Sequence, residues 1–199
     1  MNRSLLFASA LALLVPICSA TAQSGTKKST SSGFFLGAGA EGIGITTDND
    51  RQANGSGGGA GLVLGYGFNS RWSLYGQASG ATINADGGGS YSLGHFDVGA
   101  RVHFRTGPNI VVPCLQFGLS AIGFSDDVSG VTFSGSGGAL SLGGGFNAYF
   151  TPKVALSTAV TVSTGNFDRF QVGNFVTSNI SVNAVTSRLL VGLVWFPQG

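Results

Sequence analysis

The chain has 199 residues, of which 34 are glycine, and only 9% are charged, against about 25% in an ordinary soluble domain. The net charge of +2 excludes the strongly basic surface that binding to nucleic acid requires. The many glycines disfavour helices, because each interior glycine costs roughly 1 kcal/mol relative to alanine, and the aromatic content of 11% argues against disorder.

The first residues have the three-part layout of a secretory signal peptide. A positive start is followed by an apolar run, Leu5–Val15, and by the small-residue sequence Ala20-Thr21-Ala22. The run is too short to cross about 30 Å of hydrocarbon as a helix, so a membrane anchor is the weaker interpretation. We predict three segments: a signal peptide over residues 1–22 that is cleaved after Ala22, a flexible polar lead over 23–32, and one folded domain over 33–199.

The rest of the sequence alternates between apolar residues and small or polar ones. From Phe96 to Phe104 every even position is apolar, and every odd position is polar or glycine. A strand sends alternate side chains to opposite faces, so this pattern predicts a strand with one apolar face. Eight such strands are predicted, at residues 34–41, 61–68, 72–79, 96–104, 114–121, 140–150, 154–163 and 188–195.

Two kinds of connection join the predicted strands. Short turns are expected at residues 69–71, 105–109 and 151–153, and long polar loops at roughly 44–57, 84–90, 125–131 and 164–178. This arrangement predicts an all-β fold, an eight-stranded antiparallel up-and-down transmembrane β-barrel with short periplasmic turns and longer extracellular loops. A soluble sandwich or lipocalin-like barrel would need a charged outer face, whereas the polar face here is mostly Gly, Ser, Ala and Gln.

The end of the chain and the aromatic residues give two further expectations. Ile180 and Val182 have the opposite parity to the apolar residues after them, which predicts a β-bulge near residues 184–187. Aromatic residues are expected at both ends of the lipid-facing apolar band. Those at the short-turn end are Phe34, Phe68, Trp72, Phe104, Phe150 and Trp195, and those near the long loops are Tyr91, Phe124, Phe133 and Phe167.

Four charged residues fall on the polar face of the predicted strands and would point into the barrel. They are Glu41, Asp97, Arg101 and Arg188. An isolated charge in a narrow lumen would be poorly solvated, so we predict an internal ion-pair cluster that holds the barrel together. A gate or constriction in a small pore is the alternative that the sequence leaves open.

The sequence resembles bacterial outer-membrane β-barrel proteins of the eight-stranded OmpA-like type. The resemblance depends on the signal peptide, on His95–Phe104, on Val112–Leu119 and on the ending Arg188–Pro197. It implies a barrel without a second domain, surrounded by outer-membrane lipid and lipopolysaccharide in a Gram-negative cell envelope. It also implies that the barrel-assembly machinery reads an aromatic signal at the end of the last strand, here Trp195 and Phe196.

Other motifs carry less weight. Gly37–Gly42 matches G-x-G-x-x-G, but strand and loop residues follow it where a dinucleotide site needs a helix. His95 and His103 are separated by about 27 Å of strand, too far to share a metal. Cys114 is the one cysteine outside the predicted signal peptide, so no disulfide is expected.

The sequence therefore indicates a structural or surface-interaction role in the outer membrane, with recognition by the loops. A narrow passive pore is the first alternative. An outer-membrane lipid-modifying enzyme, suggested by His95 beside Asp97, is the second, although both residues are predicted to point inward. We expect no enzyme activity, no catalytic, cofactor-binding or metal-binding residues, no nucleic-acid partner, and a monomer.

Overall fold

The computed structural model describes residues 31–48, 54–104, 110–128, 131–173, 175–177 and 181–198. Its strands are β1 (Gly33–Thr47), β2 (Gly55–Gly67), β3 (Trp72–Ala85), β4 (Ser90–His103), β5 (Val111–Val128), β6 (Val131–Thr151), β7 (Val154–Val172), β8 (Phe175–Thr177) and β9 (Val182–Trp195). The predicted signal peptide, most of the polar lead and the turn 105–109 lie outside the described residues. Within the described ranges, no helix has the length and apolar character needed to cross a membrane.

Eight of these strands form a closed antiparallel barrel, which confirms the predicted fold. Each strand from β1 to β7 pairs with the next one, β7 pairs with β9, and β9 pairs with β1. The short strand β8 pairs with the end of β7 and adds to the barrel without forming part of its wall. Closure removes the free edges that an open sheet would leave unpaired.

The connections differ in length at the two ends, which we call lower and upper. At the lower end residues 68–71 join β2 to β3, and residues 152–153 join β6 to β7, as predicted. At the upper end the expected loops 125–131 and 164–178 are wrong in extent, because strand pairing continues to Val128↔Val131 and to Val172. Both faces of these segments are polar or mixed, so the apolar alternation that marks a strand in the sequence is absent there.

The upper end is therefore uneven. Strands β5, β6 and β7 have 18, 21 and 19 residues, whereas β1, β2, β3, β4 and β9 have 13 to 15. The extra residues extend one side of the wall above the opposite rim. We call this extension the raised sheet; it consists of residues 125–128, 131–135, 168–172 and 175–177.

Side chains alternate between the outside and the inside of the barrel in the predicted phase. Leu62 and Leu64 are 61% and 55% exposed, whereas Val63 between them is 4% exposed. Along β4 the outward apolar positions run from Phe96 to Phe104. That length is about 27 Å of strand and, at the usual tilt, about 19–22 Å along the barrel axis, comparable to the height of the lipid-facing band of membrane barrels. We call this outer surface the apolar band.

The β-bulge lies in a different strand from the predicted one. Strand β9 pairs with β1 and β7 without a register shift over residues 184–187, so the expected bulge there is wrong. A shift occurs instead in β7, where Phe167 pairs with Gly137 and Arg169 with Ser136, leaving Asp168 unpaired. One extra residue reverses the parity of the strand beyond it, so Phe167 and Phe170 both face inward.

Candidate functional site

The lower end of the lumen is closed by a layer of apolar side chains, which we call the lower plug. Its centre is Phe196, which is 2% exposed and whose ring centroid lies 5.7 Å from that of Phe35 and 5.6 Å from that of Tyr149. The Ser31 hydroxyl is hydrogen-bonded to the Tyr149 hydroxyl at 3.1 Å, which fixes the entering chain against the plug. The plug consists of Phe35, Val63, Tyr75, Val112, Tyr149, Ala155, Val194 and Phe196.

A second apolar layer, the upper plug, closes the other end. Its core is Ile43, Ile45, Ala81, Ile83, Leu93, Ile122, Phe167 and Ala184, with Tyr91, Phe124, Ala139 and Phe170 packed against it. The Phe124 ring lies 5.3 Å from Phe167, 6.2 Å from Phe170 and 6.3 Å from Tyr91. The expectation that Tyr91, Phe124, Phe133 and Phe167 form an outer aromatic girdle is therefore wrong. Tyr91, Phe124 and Phe167 face the lumen, and Phe133, two residues from Gly135 opposite Phe124, is on the same inner face.

Between the plugs lies a buried polar layer with an ion pair across the lumen. The Arg188 guanidinium donates to both carboxylate oxygens of Asp97, at 2.6 and 2.9 Å, and to the Ser163 hydroxyl at 3.2 Å. Arg188 Nη1 also lies 4.0 Å from Glu41 Oε1. Strands β9 and β4 stand opposite each other in the ring of eight, so this contact joins opposite walls. The structure thus brings Glu41, Asp97 and Arg188 together.

Arg101, the fourth predicted member, lies apart from this cluster. Its Nη2 donates to Gln116 Oε1 at 2.9 Å, Gln116 Nε2 donates to Thr161 Oγ1 at 2.7 Å, and its guanidinium lies 5.2 Å from the centre of the Tyr75 ring. Among the described residues no carboxylate approaches it within ion-pair distance. Arg101 is four residues below Asp97 on one strand, about 13 Å away, so its guanidinium meets side chains of a lower level.

The two histidines are also part of the buried layer. His95 Nε2 is hydrogen-bonded to Thr186 Oγ1 at 3.2 Å, again from β4 to β9, and His103 Nε2 lies 3.4 Å from the Ser73 hydroxyl. Both rings are at most 4% exposed, so neither lies at the lipid-facing surface. Over the described part of the chain, no three His, Cys, Asp or Glu side chains are grouped to hold a metal ion.

The two aromatic residues at the end of β9 point in opposite directions. Trp195 faces outward and is 50% exposed, whereas Phe196 faces inward as the centre of the lower plug. The sequence carried this information, because Phe196 has the parity of Arg188. The sequence marks neutral members of the polar layer, such as Gln116 and Gln77, only as polar residues on the inward face. It does not show that Gln116 bonds to Arg101 and Gln77 to Glu41.

The raised sheet presents an apolar row on its inner face, directly above the upper plug. Asp126 pairs with Phe133, Phe133 with Val172, and Val172 with Phe175, so all four side chains share that face. Phe133, Val172 and Phe175 are 38%, 42% and 83% exposed. Among the described residues, the strand ends and connections at the upper end contain five aspartates (48, 86, 126, 127 and 168) and one arginine (169), a formal charge of −4.

Comparisons with known proteins agree with this architecture. The profile of the outer membrane protein β-barrel domain family matches residues 10–187. No curated protein matches the sequence significantly.

Three solved structures show the same fold at low sequence identity. Neisserial surface protein A (NspA) superposes with a TM-score of 0.65 at 19% identity, over 82% of this chain and 97% of NspA. OprG from Pseudomonas aeruginosa gives 0.56 at 14%, over 85% and 97%, and Ail of Yersinia pestis gives 0.52 at 17%, over 82% and 99%. Ail has also been solved in complex with the heparin analogue sucrose octasulfate.

Proposed function

The chain belongs to the outer membrane protein β-barrel domain family. We propose that this outer-membrane protein acts as a surface-interaction protein through its upper end, which is the extracellular one. The raised sheet is the observation that carries the proposal. It extends the wall on one side and exposes Phe133, Val172 and Phe175 on its inner face, which are 38%, 42% and 83% accessible. Exposed apolar side chains above the band meet water unless a partner covers them.

The lumen does not favour the alternative of a passive pore. Two apolar plugs lie above and below the polar layer, and Ile83, Leu93 and Val112 in them are at most 1% exposed. An ion would have to leave water to pass each layer, which is costly. An eight-stranded barrel whose interior is filled in this way serves as a scaffold.

The predicted residues take supporting roles in this proposal. Arg188, Asp97 and Glu41 hold opposite walls of the barrel together, supported by the bidentate contact of 2.6 and 2.9 Å. Trp195, exposed at the lower end of β9, is the accessible part of the assembly signal, whereas Phe196 is buried. Export with cleavage after Ala22, a monomeric state, and outer-membrane lipid and lipopolysaccharide as the surroundings of the apolar band complete the proposal.

The ligand of one structural neighbour is not transferred with the fold. Ail is known in complex with a sulfated heparin analogue. The upper end of this chain has a formal charge of −4, which repels a polyanion. The proposed interaction therefore depends on the raised sheet of this chain and not on the likeness to Ail.

The proposal is tested by adherence of cells that display the full-length protein. Wild type is compared with a variant in which the exposed inner row is made polar, Phe175→Ser with Val172→Ser, on surfaces coated with purified extracellular proteins. We expect the variant to lose most of the adherence that wild type adds, while its gel mobility shift on boiling, the mark of a folded barrel, stays unchanged. Equal adherence of folded variant and wild type would overturn the proposal.

A further inference from the structure

The inner face of the raised sheet combines apolar side chains with negative charge. The row Asp126, Phe133, Val172, Phe175 crosses four strands in register, from β5 to β8. The lower boundary of the row is aromatic, because Phe124 and Phe170 of the upper plug share its face. The result is a continuous apolar wall that begins in the buried plug and becomes exposed towards its top.

Among the described residues, the charges on the inner side of this wall and at the opposite rim have one sign. Asp126 belongs to the row itself, and Asp48 and Asp86 are exposed at the upper ends of the shorter strands. Arg169 pairs with Ser136, whose side chain is on the outer face, so its positive charge faces away from the row. Within the described residues, no Lys or Arg side chain belongs to the inner face.

We propose that this face binds a cationic polypeptide segment that carries apolar side chains, an inference that rests on the surface-interaction function proposed above. The apolar side chains of the segment cover Phe133, Val172 and Phe175, and its Lys or Arg side chains face Asp126 and the acidic rim. Complementary charge of this kind speeds association and selects the partner, and burial of the aromatic wall supplies the affinity.

Other occupants fit the face less well. A second copy of the chain would bring its own acidic rim against this one, and like charges in close contact are repelled. A sulfated glycan meets the same repulsion. Acyl chains of the surrounding membrane contact the apolar band, whereas the raised sheet begins above the residues that form that band, such as Phe96 and Leu140.

The experiment measures binding of defined peptides to the full-length barrel in nanodiscs by fluorescence anisotropy. The probes are a short alternating Lys–Leu peptide, a Glu–Leu peptide of equal length, and a Lys–Ser peptide without apolar residues. The variants are Phe175→Ser on the inner face, Val176→Ser as its matched control on the outer face, and Asp126→Asn. Val176 pairs with Gln171 and is 51% exposed, so Val176→Ser removes an exposed apolar side chain that does not belong to the row.

We expect the Lys–Leu peptide to bind and the other two to bind at least about tenfold more weakly. Phe175→Ser should weaken binding about tenfold, whereas Val176→Ser leaves it unchanged. Asp126→Asn should weaken it less and reduce its dependence on salt, since screening acts on the charge contribution.

Each contrary result has a definite meaning. If the Glu–Leu peptide binds equally well and Phe175→Ser abolishes both, the surface function stands and the cationic partner is wrong. Loss of binding with Val176→Ser but not with Phe175→Ser places the contact on the outer face and overturns the inference. If no peptide binds while Phe175→Ser still reduces cell adherence, the inference fails and the proposed function does not. Self-association of wild type that Phe175→Ser removes would identify a second copy as the occupant.

Discussion

Both ends of the barrel place aromatic side chains in the lumen, but among the described residues only the lower end also places them on the outer face. At the lower end aromatic side chains face outward and are 42–62% exposed, namely Phe34, Tyr66, Phe68, Trp72, Phe104, Phe150 and Trp195. At the upper end Tyr91, Phe124, Phe167 and Phe170 face inward and form the plug. Aromatic rings favour the boundary between hydrocarbon and water, so the lower end is the one anchored in the membrane interface.

The outer wall changes character just above the apolar band. In register across β3, β4 and β5, Gly80 pairs with Gly94 and Gly94 with Gly123, and all three lie on the outer face. The next outward row consists of Thr82, Ser92 and Ser125. The outer face of the lower end therefore suits contact with lipid, and that of the upper end suits contact with water, where the proposed partner would bind.

The largest loss of stability is expected from a change in the buried polar layer that lies between the two plugs. Arg188→Met leaves Asp97 buried without its bidentate partner, which should cost about 3–5 kcal/mol of unfolding free energy. Urea unfolding in detergent micelles, followed by tryptophan fluorescence, measures the loss. Arg169→Met, an exposed control, should change stability by less than about 0.5 kcal/mol. An Arg188→Met barrel as stable as wild type would show that the ion pair does not hold the walls.

A smaller loss of stability should distinguish a glycine that packs against a plug from a glycine on the outer wall. A Cβ on Gly65 would overlap the Phe35 ring and the Leu74 carbonyl oxygen, whereas a Cβ on Gly80 meets nothing within 4 Å. Gly65→Ala should therefore destabilise the barrel by about 1–3 kcal/mol, and Gly80→Ala should be neutral or slightly stabilising. The same unfolding assay compares them. Equal stability of the two variants would contradict the close packing of the lower plug.

Gly135→Ala compares the upper plug with the lower one. The added Cβ would overlap the Phe124 ring, which supplies its three nearest atoms, but this ring is only partly buried. We expect a loss smaller than that of Gly65→Ala, because the ring can move towards the open upper end. A loss as large as that of Gly65→Ala would mean that both plugs are equally rigid.

The smallest effect is a difference in fluorescence quenching, which reports the depth of the tryptophans in the bilayer. The chain has two of them, Trp72 and Trp195, which are 44% and 50% exposed on the outer face of the lower end. In liposomes, lipids brominated near the headgroup should quench the single-tryptophan variants Trp72→Phe and Trp195→Phe to the same extent. Phe167→Trp, placed in a background without either tryptophan, should be quenched much less. Unequal quenching of the first two would contradict a common interface at the lower end.

The sequence predicts the wall of the barrel well because a period of two is a local property. Inward Glu41 and Asp97 and outward Phe96 follow from parity alone, and the closed barrel follows from eight such segments. Parity shows which face a side chain is on, but not its height in the lumen. The sequence therefore predicts Arg101 in one cluster with Glu41 and Asp97, which lie at another level. Side-chain levels depend on how neighbouring strands are staggered, which no single segment records.

The upper end could not be predicted in the same way. The bulge at Asp168 is decided by pairing between β6 and β7, and it alone turns Phe170 inward. Apart from Val176, the raised sheet has polar residues on its outer face, and its inner face is mixed, so no apolar period marks it as strand. Phe196, by contrast, could have been assigned to the lumen, because it continues the parity of Arg188 and Val194.

Electrical recording of purified protein in planar bilayers tests most directly whether the barrel is, as we propose, a closed scaffold that acts through its extracellular end. With a large porin reconstituted in parallel to show that the assay detects conduction, wild type is predicted to insert without producing conductance steps. Discrete, reproducible steps from wild type would contradict the account, because ions would then be crossing both plugs.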